Sequence, residues 1–349
     1  MIDWSRSYTV DWRVVKVNPD TWDDGELVSG VVSVTVNRDM SDAVPLLETS
    51  SFVIDAKPTD TFEEGWYRAV AYVSQDGKVE RYPITTQLLQ NVKDTVEYGV
   101  AQATFDGGSS LLPVSEVMME NGGYVPKGVS GPDWAFDMLK RNTAAPVRKS
   151  PGDFSLDQYV VYDSNSSVLQ AVWDVVLAGG WCLIVDGSGV VWVTPKPDRP
   201  SLVLDSIGVG HLYPKIDRNL SFKGVPNKYI ARDGSWEEIA ENHDINSKLS
   251  YERRKRWVTV VDDNPVYING ESLWSYARRK LEEASTQFRE YSYTREFADN
   301  VYPFSLVRAS VPNQGIDGDL RVRTQQITLD QGITVQETAV KEIKGWVNR

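Results

Sequence analysis

The chain holds two histidines and one cysteine, His211, His243 and Cys182. A closed tetrahedral zinc site takes four such ligands, so these three cannot complete a Cys/His zinc site within one chain. Both histidines read as loop or surface residues. Oxygen ligands are plentiful, and Asp262-Asp263-Asn264 and Asp317-Gly318-Asp319 are the densest groups. Neither has the Asx steps and terminal glutamate of a calcium loop, and turn chemistry explains both. Gly187-Ser188-Gly189 lacks the spacing of a nucleophile elbow and reads as a hairpin turn. Cys182 sits in the apolar run Trp181–Val185, without the exposed, electropositive setting that lowers a thiol pKa. Gly208-Val209-Gly210 lacks the third glycine and the following helix of a phosphate cradle. Paired carboxylates leave no linear signature, so they are the one catalytic class open to the 49 Asp and Glu, whose ordinary use is surface charge. The expectation is a chain that is not an enzyme, with no catalytic, cofactor-binding or metal-binding residue.

The charge balance narrows the partners. Lys and Arg number 37 against those 49 acids, a net charge of −12, so sequence-independent binding of a phosphate backbone is not expected. The run Arg253-Arg254-Lys255-Arg256 is the local exception. It reads as a solvated stretch of strand or loop beside Trp257, or as cations for an acidic neighbour. The 12 Trp and 16 Tyr suit half-buried sheet faces and protein interfaces alike. One cysteine excludes an internal disulfide and points to a reducing compartment. The start Met1-Ile2-Asp3-Trp4-Ser5-Arg6 lacks the order of a signal peptide. No apolar run approaches the ~18 residues of a membrane helix, so no membrane anchor is expected.

Those residues must be carried by elements, and 349 residues predict two or three domains. Period-two alternation predicts strands through Tyr8–Val17, Val31–Val36, Ser51–Asp55, Gly65–Val73 and Val79–Ile84, with Asp76-Gly77 as a tight hairpin turn. Pro132–Lys140 predicts a short helix, and a second follows Ser166-Ser167 and ends at Gly179-Gly180. Trp181–Val185 and Val190–Thr194 then form a hairpin, and Pro195, Pro197 and Pro200 mark a boundary. Leu202–Leu204, Leu220–Lys223, Lys228–Ala231 and Trp257–Val261 read as strands. Asn269-Gly270-Glu271 opens the longest helix, about 270–288, on the steps Leu273, Ala277, Leu281, Ala284 and Phe288. Strands return over Tyr291–Phe297, Val307–Val311, Leu320–Leu329 and Thr334–Val340, with Asp330-Gln331-Gly332 as a hairpin turn. No repeat of fixed short period is visible. The domains expected are 1–108, 109–200 and 201–349: β-rich, small α/β, then β-rich with one long helix.

Three passages bear a likeness to a known family. They are Phe62–Val70 with its following Asp-Gly hairpin, Gly224-Val225-Pro226-Asn227-Lys228-Tyr229-Ile230-Ala231-Arg232, and Leu320–Leu329 paired with Gly332–Thr338. Together with the segment order they resemble the tail-tip and baseplate hub proteins of tailed phages, including contractile-tail hubs and the N-terminal region of siphophage tail-associated lysins. The resemblance implies a β-rich α+β fold of two tube-forming β-barrel-like domains with inserted smaller α/β domains. It also implies a homotrimeric ring of pseudo-sixfold symmetry that adapts the hexameric tail tube to a threefold tip. The implied partners are a distal tail protein or tail tube, a tape-measure protein, other tail-tip or receptor-binding proteins, and DNA only as it passes the lumen. The implied location is the virion tail tip, assembled in the host cytoplasm. The chain stops at Arg349 just past the last barrel strands, so lytic or adhesive functions are expected in other proteins.

A DNA channel should not hold its cargo, so lumen-facing residues should be rich in Asp, Glu, Ser and Thr, acting within a Debye length of about 8 Å. Two readings compete with the hub. One is a carbohydrate-binding or carboxylate-type glycan hydrolase component, which would pair two acids beside exposed Trp. The other is a distal tail protein, which would be hexameric.

Overall fold

The computed structural model describes residues 2, 6–40, 47–56, 63–97, 100–120, 123–204, 212–268, 270–311 and 315–343. Strands β1 (Thr9–Val17), β2 (Asp24–Leu27), β3 (Val31–Asp39), β4 (Glu48–Ala56), β5 (Gly65–Gln75), β6 (Lys78–Glu97) and β7 (Val100–Gly108) open the chain. The middle holds α1 (Leu112–Glu116), β8 (Tyr124–Val125), α2 (Gly131–Asn142), β9 (Val147–Lys149), β10 (Val160–Val161), α3 (Val168–Ala178), β11 (Trp181–Val185) and β12 (Val191–Pro195). Next come β13 (Pro200–Leu204), β14 (Leu212–Leu220), β15 (Lys228–Asp233), β16 (Trp236–Glu241), α4 (Tyr251–Arg254), β17 (Thr259–Asp262) and α5 (Leu273–Ala284). The chain closes with β18 (Gln287–Glu296), β19 (Leu306–Val311), β20 (Ile316–Leu329) and β21 (Ile333–Ile343).

Local chemistry explains many of these ends. Asp76 and Gly77 both take positive φ, +50° and +77°, which suits the two-residue turn joining β5 to β6. The side chains of Ser130, Ser167 and Ser272 accept the orphan N–H groups of Asp133, Gln170 and Ser275, capping α2, α3 and α5. The expected long helix is shorter than its pattern: it spans Leu273–Ala284, and Phe288 belongs to β18. Asn269 lies outside the described residues. Of the expected strand Leu220–Lys223 only Leu220 is in a strand, as the last residue of β14, which runs Leu212–Leu220; residues 221–223 lie outside any strand. Trp236–Glu241, unread in the sequence, pairs with β15. The basic run sits on the helical turn α4 and on Lys255, whose φ is +53°, rather than on a strand or plain loop.

The fold is β-rich α+β. Thirteen strands share one sheet in the order β14-β18-β21-β20-β3-β4-β7-β6-β5-β1-β2, with β19 branching from β20 and β13 lying beside β19. Strands distant in this order still share cores, so the sheet curls on itself. Val14, Val34, Phe52, Ala69, Ile84, Phe105 and Leu329 meet in one apolar cluster. Leu204, Tyr291, Val307, Leu320, Val322 and Ala339 meet in a second. Strand β20 serves both curls. Its first half pairs with β19, and its second half, Thr324–Leu329, pairs with Asp39–Val34 of β3.

The two curls repeat one topology. In β3-β4-β7-β6 and again in β14-β18-β21-β20, the sheet order is first, second, fourth and third strand of the set. The β6–β7 ladder is interrupted between Leu89 and Asn91, and the β20–β21 ladder between Val322 and Thr324. Counted from Val96↔Ala101 and Leu329↔Ile333, the inward pairs nearest the two turns, the interruptions fall at equivalent positions. A β-bulge bends its strand and sharpens the twist, so its recurrence marks the same corner in both curls.

Two smaller bodies complete the chain. Helices α1, α2 and α3 cover β11-β12-β9 around Leu139, Leu169, Val172, Trp173 and Leu183. Helix α5 packs Tyr276, Ala277 and Leu281 on Tyr229, Ala231 and Ala240 of the sheet β16-β15-β17, and not on the last large sheet.

Candidate functional site

The residues singled out for chemistry are mostly absorbed by structure. His211 and Gly208-Val209-Gly210 lie outside the described residues. His243 is a half-exposed surface residue held between carboxylates, its Nδ1 2.6 Å from Glu252 and its Nε2 3.2 Å from Glu241. Those partners raise its pKa above the ordinary imidazole value. Asp262 accepts from the hydroxyls of Tyr229 and Tyr276 and from the backbone N–H of Asn264. Asp319 pairs with Arg308 at 2.7 Å. Cys182 is fully buried, which pushes its thiol up to about 12. Among the described residues no group of three or more His, Cys, Asp or Glu could hold a metal ion, and no helix is long and apolar enough to cross a membrane.

Gly187-Ser188-Gly189 is the β11–β12 turn, and it is plugged into the N-terminal curl. Trp22 Nε1 and Arg68 Nη2 donate to the Ser188 carbonyl at 2.7 and 3.0 Å. Thr86 Oγ1 donates to the Gly187 carbonyl at 3.0 Å, and Ser110 Oγ to that of Gly189 at 2.6 Å. Gly187 lies so close to the Pro83 carbonyl that a Cβ would fall 1.9 Å from its oxygen. Asp186 shapes the turn by accepting from Ser188 N, Val190 N and Trp192 Nε1.

One cleft sets two acids beside a Trp. About 470 Å³ in size, it is lined by Asp186, Asp299, Trp192 and Tyr302. Burial, reinforced by Asp186, raises the Asp299 pKa. Both Asp186 oxygens are already engaged by the turn, and Arg148 stacks 5.4 Å from the Trp192 ring. Asp299 accepts from the side chain of its neighbour Asn300 at 3.0 Å.

An extended polar surface forms the outward face of β14-β18-β21-β20-β3-β4-β7-β6. Cross-strand partners build it in rows. One row runs Asp217, Ser292, Thr338, Thr324 and Asp39. The next runs Thr294, Gln336, Gln326, Asn37 and Thr49. A third runs Thr334, Thr328, Thr35, Ser51, Asp106 and Asn91. Every charge in these rows is acidic. Lysine appears only toward the two edges, as Lys215 and Lys93. Over the seam between the curls the face hollows into a trough of about 620 Å³. Gln326 Nε2 donates to Asn37 Oδ1 across that seam at 2.8 Å.

Beneath the trough the same strands turn charges inward. Glu48 receives Arg38, Thr85 and Gln87, all buried. Arg38 Nη1 also donates to Gln325 Oε1 at 2.7 Å, and Gln325 Nε2 donates to Glu337 at 2.6 Å. Arg295, with no exposed side-chain surface, donates to Glu337 at 2.6 Å. Burial opposes its charge, but Glu337 holds its pKa above the ordinary value. This chain of groups ties β4, β3, β20, β21 and β18 together, so the two curls meet in one fixed orientation. Sequence reading missed it because Arg38, Glu48, Arg295 and Glu337 look like ordinary surface charges. Only their placement at inward positions of alternating strands could have marked them.

Neither a protein-family model nor a curated protein sequence matches the chain. Solved structures do. The fold is that of phage tail proteins, shared across nearly the whole length. A tail protein from Neisseria meningitidis MC58 superposes with a TM-score of 0.65 at 15% identity, covering 96% of this chain and 97% of its own. The 43 kDa tail protein of prophage MuSo2 from Shewanella oneidensis gives 0.65 at 12% identity, covering 95% and 98%. A prophage tail protein from Listeria monocytogenes EGD-e gives 0.54 at 10% identity, covering 93% and 94%.

Proposed function

We propose that this chain is the structural hub of a phage tail tip, with three copies closed into a ring whose channel is walled by the polar face. The observation that carries the proposal is the repeat of two four-stranded units joined edge to edge under one continuous polar surface. Three copies would offer six such units, matching a hexameric tail tube above while keeping threefold symmetry below. At about 4.8 Å between strands and a tilt of ~40°, about 24 strands enclose a wall roughly 48 Å across. Short uncharged and acidic side chains make up most of that face, with Lys215 and Lys93 at its two edges, so a phosphate backbone meets little positive charge and DNA passes without being held.

In this reading the units are 1–108, 109–200 and 201–349, with the α5 body set inside the last. On the same reading the chain has no catalytic role of its own: the cleft that sets two acids beside Trp192 spends one of them on the β11–β12 turn. Its neighbours are the distal tail protein or tail tube above, the tape-measure protein in the lumen, and other tail-tip or receptor-binding proteins below. Its place is the virion, after assembly in host cytoplasm. Native mass spectrometry at high protein concentration tests the ring. Three copies are expected. Six would reassign the chain to a distal-tail role, and a monomer at every concentration would overturn the ring.

A further inference from the structure

Strand β6 changes neighbours along its length. From Lys78 to Leu89 it pairs with β5, and from Leu88 to Glu97 it pairs with β7 on its other side. Beyond Leu89 the β5 side carries, among the described residues, no strand. At the far end of the face, β14 pairs among the described residues with β18 alone. The polar face therefore ends in two open ladders of backbone N–H and C=O groups. Exposed ladders of this kind take another strand.

The repeat states which strand. Within the chain, the third strand of the C-terminal set, β20, pairs with the first strand of the N-terminal set, β3. The third strand of the N-terminal set is β6, and the first of the C-terminal set is β14. The same joint, applied between copies, seats β6 of one copy on β14 of the next. Polarity agrees, because eight antiparallel strands place the two edges in opposite directions, and a cyclic neighbour then continues the antiparallel order.

The register can be carried across as well. The shared bulge maps Leu329, Ile327 and Gln325 onto Val96, Asp94 and Val92. The β4–β7 and β18–β21 ladders map Val34, Val36 and Arg38 onto Ile216, Arg218 and Leu220. Within the chain, Leu329 faces Val34, Ile327 faces Val36 and Gln325 faces Arg38, and all six are buried. Between copies, Val96 then faces Ile216, Asp94 faces Arg218 and Val92 faces Leu220. Two apolar pairs flank an opposite-charge pair, the complementarity a cross-strand joint needs. Val92 and Val96 are 37% and 53% exposed in the single chain, where their counterparts Gln325 and Leu329 are covered.

We infer that the hub ring closes by β-strand pairing between Gln90–Glu97 of β6 and Leu212–Leu220 of β14 in a second copy of this chain. The inference rests on the ring reading and specifies its joint. Two measurements separate them, each on the full chain, with folding checked by thermal melting. In the first, Thr95→Cys and Asp217→Cys are combined, since these outward positions fall opposite each other in the same register. Mild oxidation is expected to give covalent dimers and trimers, while either single variant and the distant pair Asn91→Cys with Lys215→Cys stay monomeric on a denaturing gel. In the second, Asp94→Arg is expected to lower ring affinity at least tenfold by native mass spectrometry, and adding Arg218→Asp to restore it. Crosslinking with charge-swap rescue establishes the joint. A trimer that forms but neither crosslinks nor responds to Asp94→Arg overturns the joint while leaving the ring intact. A chain that stays monomeric overturns both.

Discussion

Replacing Gly187 by alanine should unseat the middle body from the N-terminal curl. The new Cβ would stand 1.9 Å from the Pro83 oxygen and 2.6 Å from its carbonyl carbon, both backbone atoms that cannot swing aside. Ordinary contact requires the turn to withdraw by about 1.5 Å, more than a hydrogen bond tolerates. Four bonds to the turn depend on that seat, from Trp22, Arg68, Thr86 and Ser110. Thr86 and Ser110 are fully buried, so water does not replace what they lose. At about 1 kcal/mol per bond, the cost is about 3–5 kcal/mol. In a chain this long that lowers the main thermal transition by roughly 5 °C. Gly234→Ala is the control: its φ is +59° with open space around it, so only the torsional cost of about 1 kcal/mol applies. Calorimetry supplies the melting shift, and hydrogen exchange should show residues 83–87 and 186–190 losing protection while the α3 core keeps it. Equal melting of Gly187→Ala and Gly234→Ala, with unchanged exchange at the turn, would refute the docking argument.

Three further outcomes follow from the side chains already placed. Arg38→Ala leaves Glu48 buried without its counter-ion and should cost about 3–5 kcal/mol in urea unfolding, whereas a change under 1 kcal/mol would show that Thr85 and Gln87 suffice. His243 carries a raised folded pKa, so its contribution is fully present below the unfolded value near 6.5 and fades as pH rises through the folded value. An NMR titration of His243 should read above 6.5, and His243→Gln should flatten that limb of the stability profile; a titration at or below 6.5 would contradict the two-carboxylate clasp. Cys182, with its thiol pushed up to about 12, should stay unmodified by a thiol reagent at pH 8 and react only on unfolding, so rapid labelling of the native protein would place it outside the core.

Local rules were legible in the residues themselves. Alternation in Val31–Val36 and Leu320–Leu329, the Asp76-Gly77 turn, the helix starts at Pro132 and after Ser166-Ser167 and the hairpin at Gly187-Ser188-Gly189 depend on short-range sterics and hydrogen bonding. Each therefore needs only a few adjacent residues to be read. The helix at Leu273–Ala284 was found but overrun, because Phe288 continues the helical step while belonging to a strand that pairs with β21. Its location on a separate small sheet is tertiary, since an apolar helix face does not name the surface it covers.

What the sequence determined by itself was a β-rich chain interrupted by one small α/β stretch, carrying one longer helix in its last part and free of linear catalytic motifs. What only the tertiary structure decided was the repeat, the polar wall and the charged seam beneath it. The reason is physical. Backbone ladders hold register without regard to side chain, so β3-β4-β7-β6 and β14-β18-β21-β20 keep one topology and one bulge position while sharing no visible sequence period. Whether Arg38 or Thr324 faces the core or the polar surface depends on which strand lies beside it, nearly 300 residues away in one case. Long-range pairing sets that choice, and alternation alone gives only the two faces.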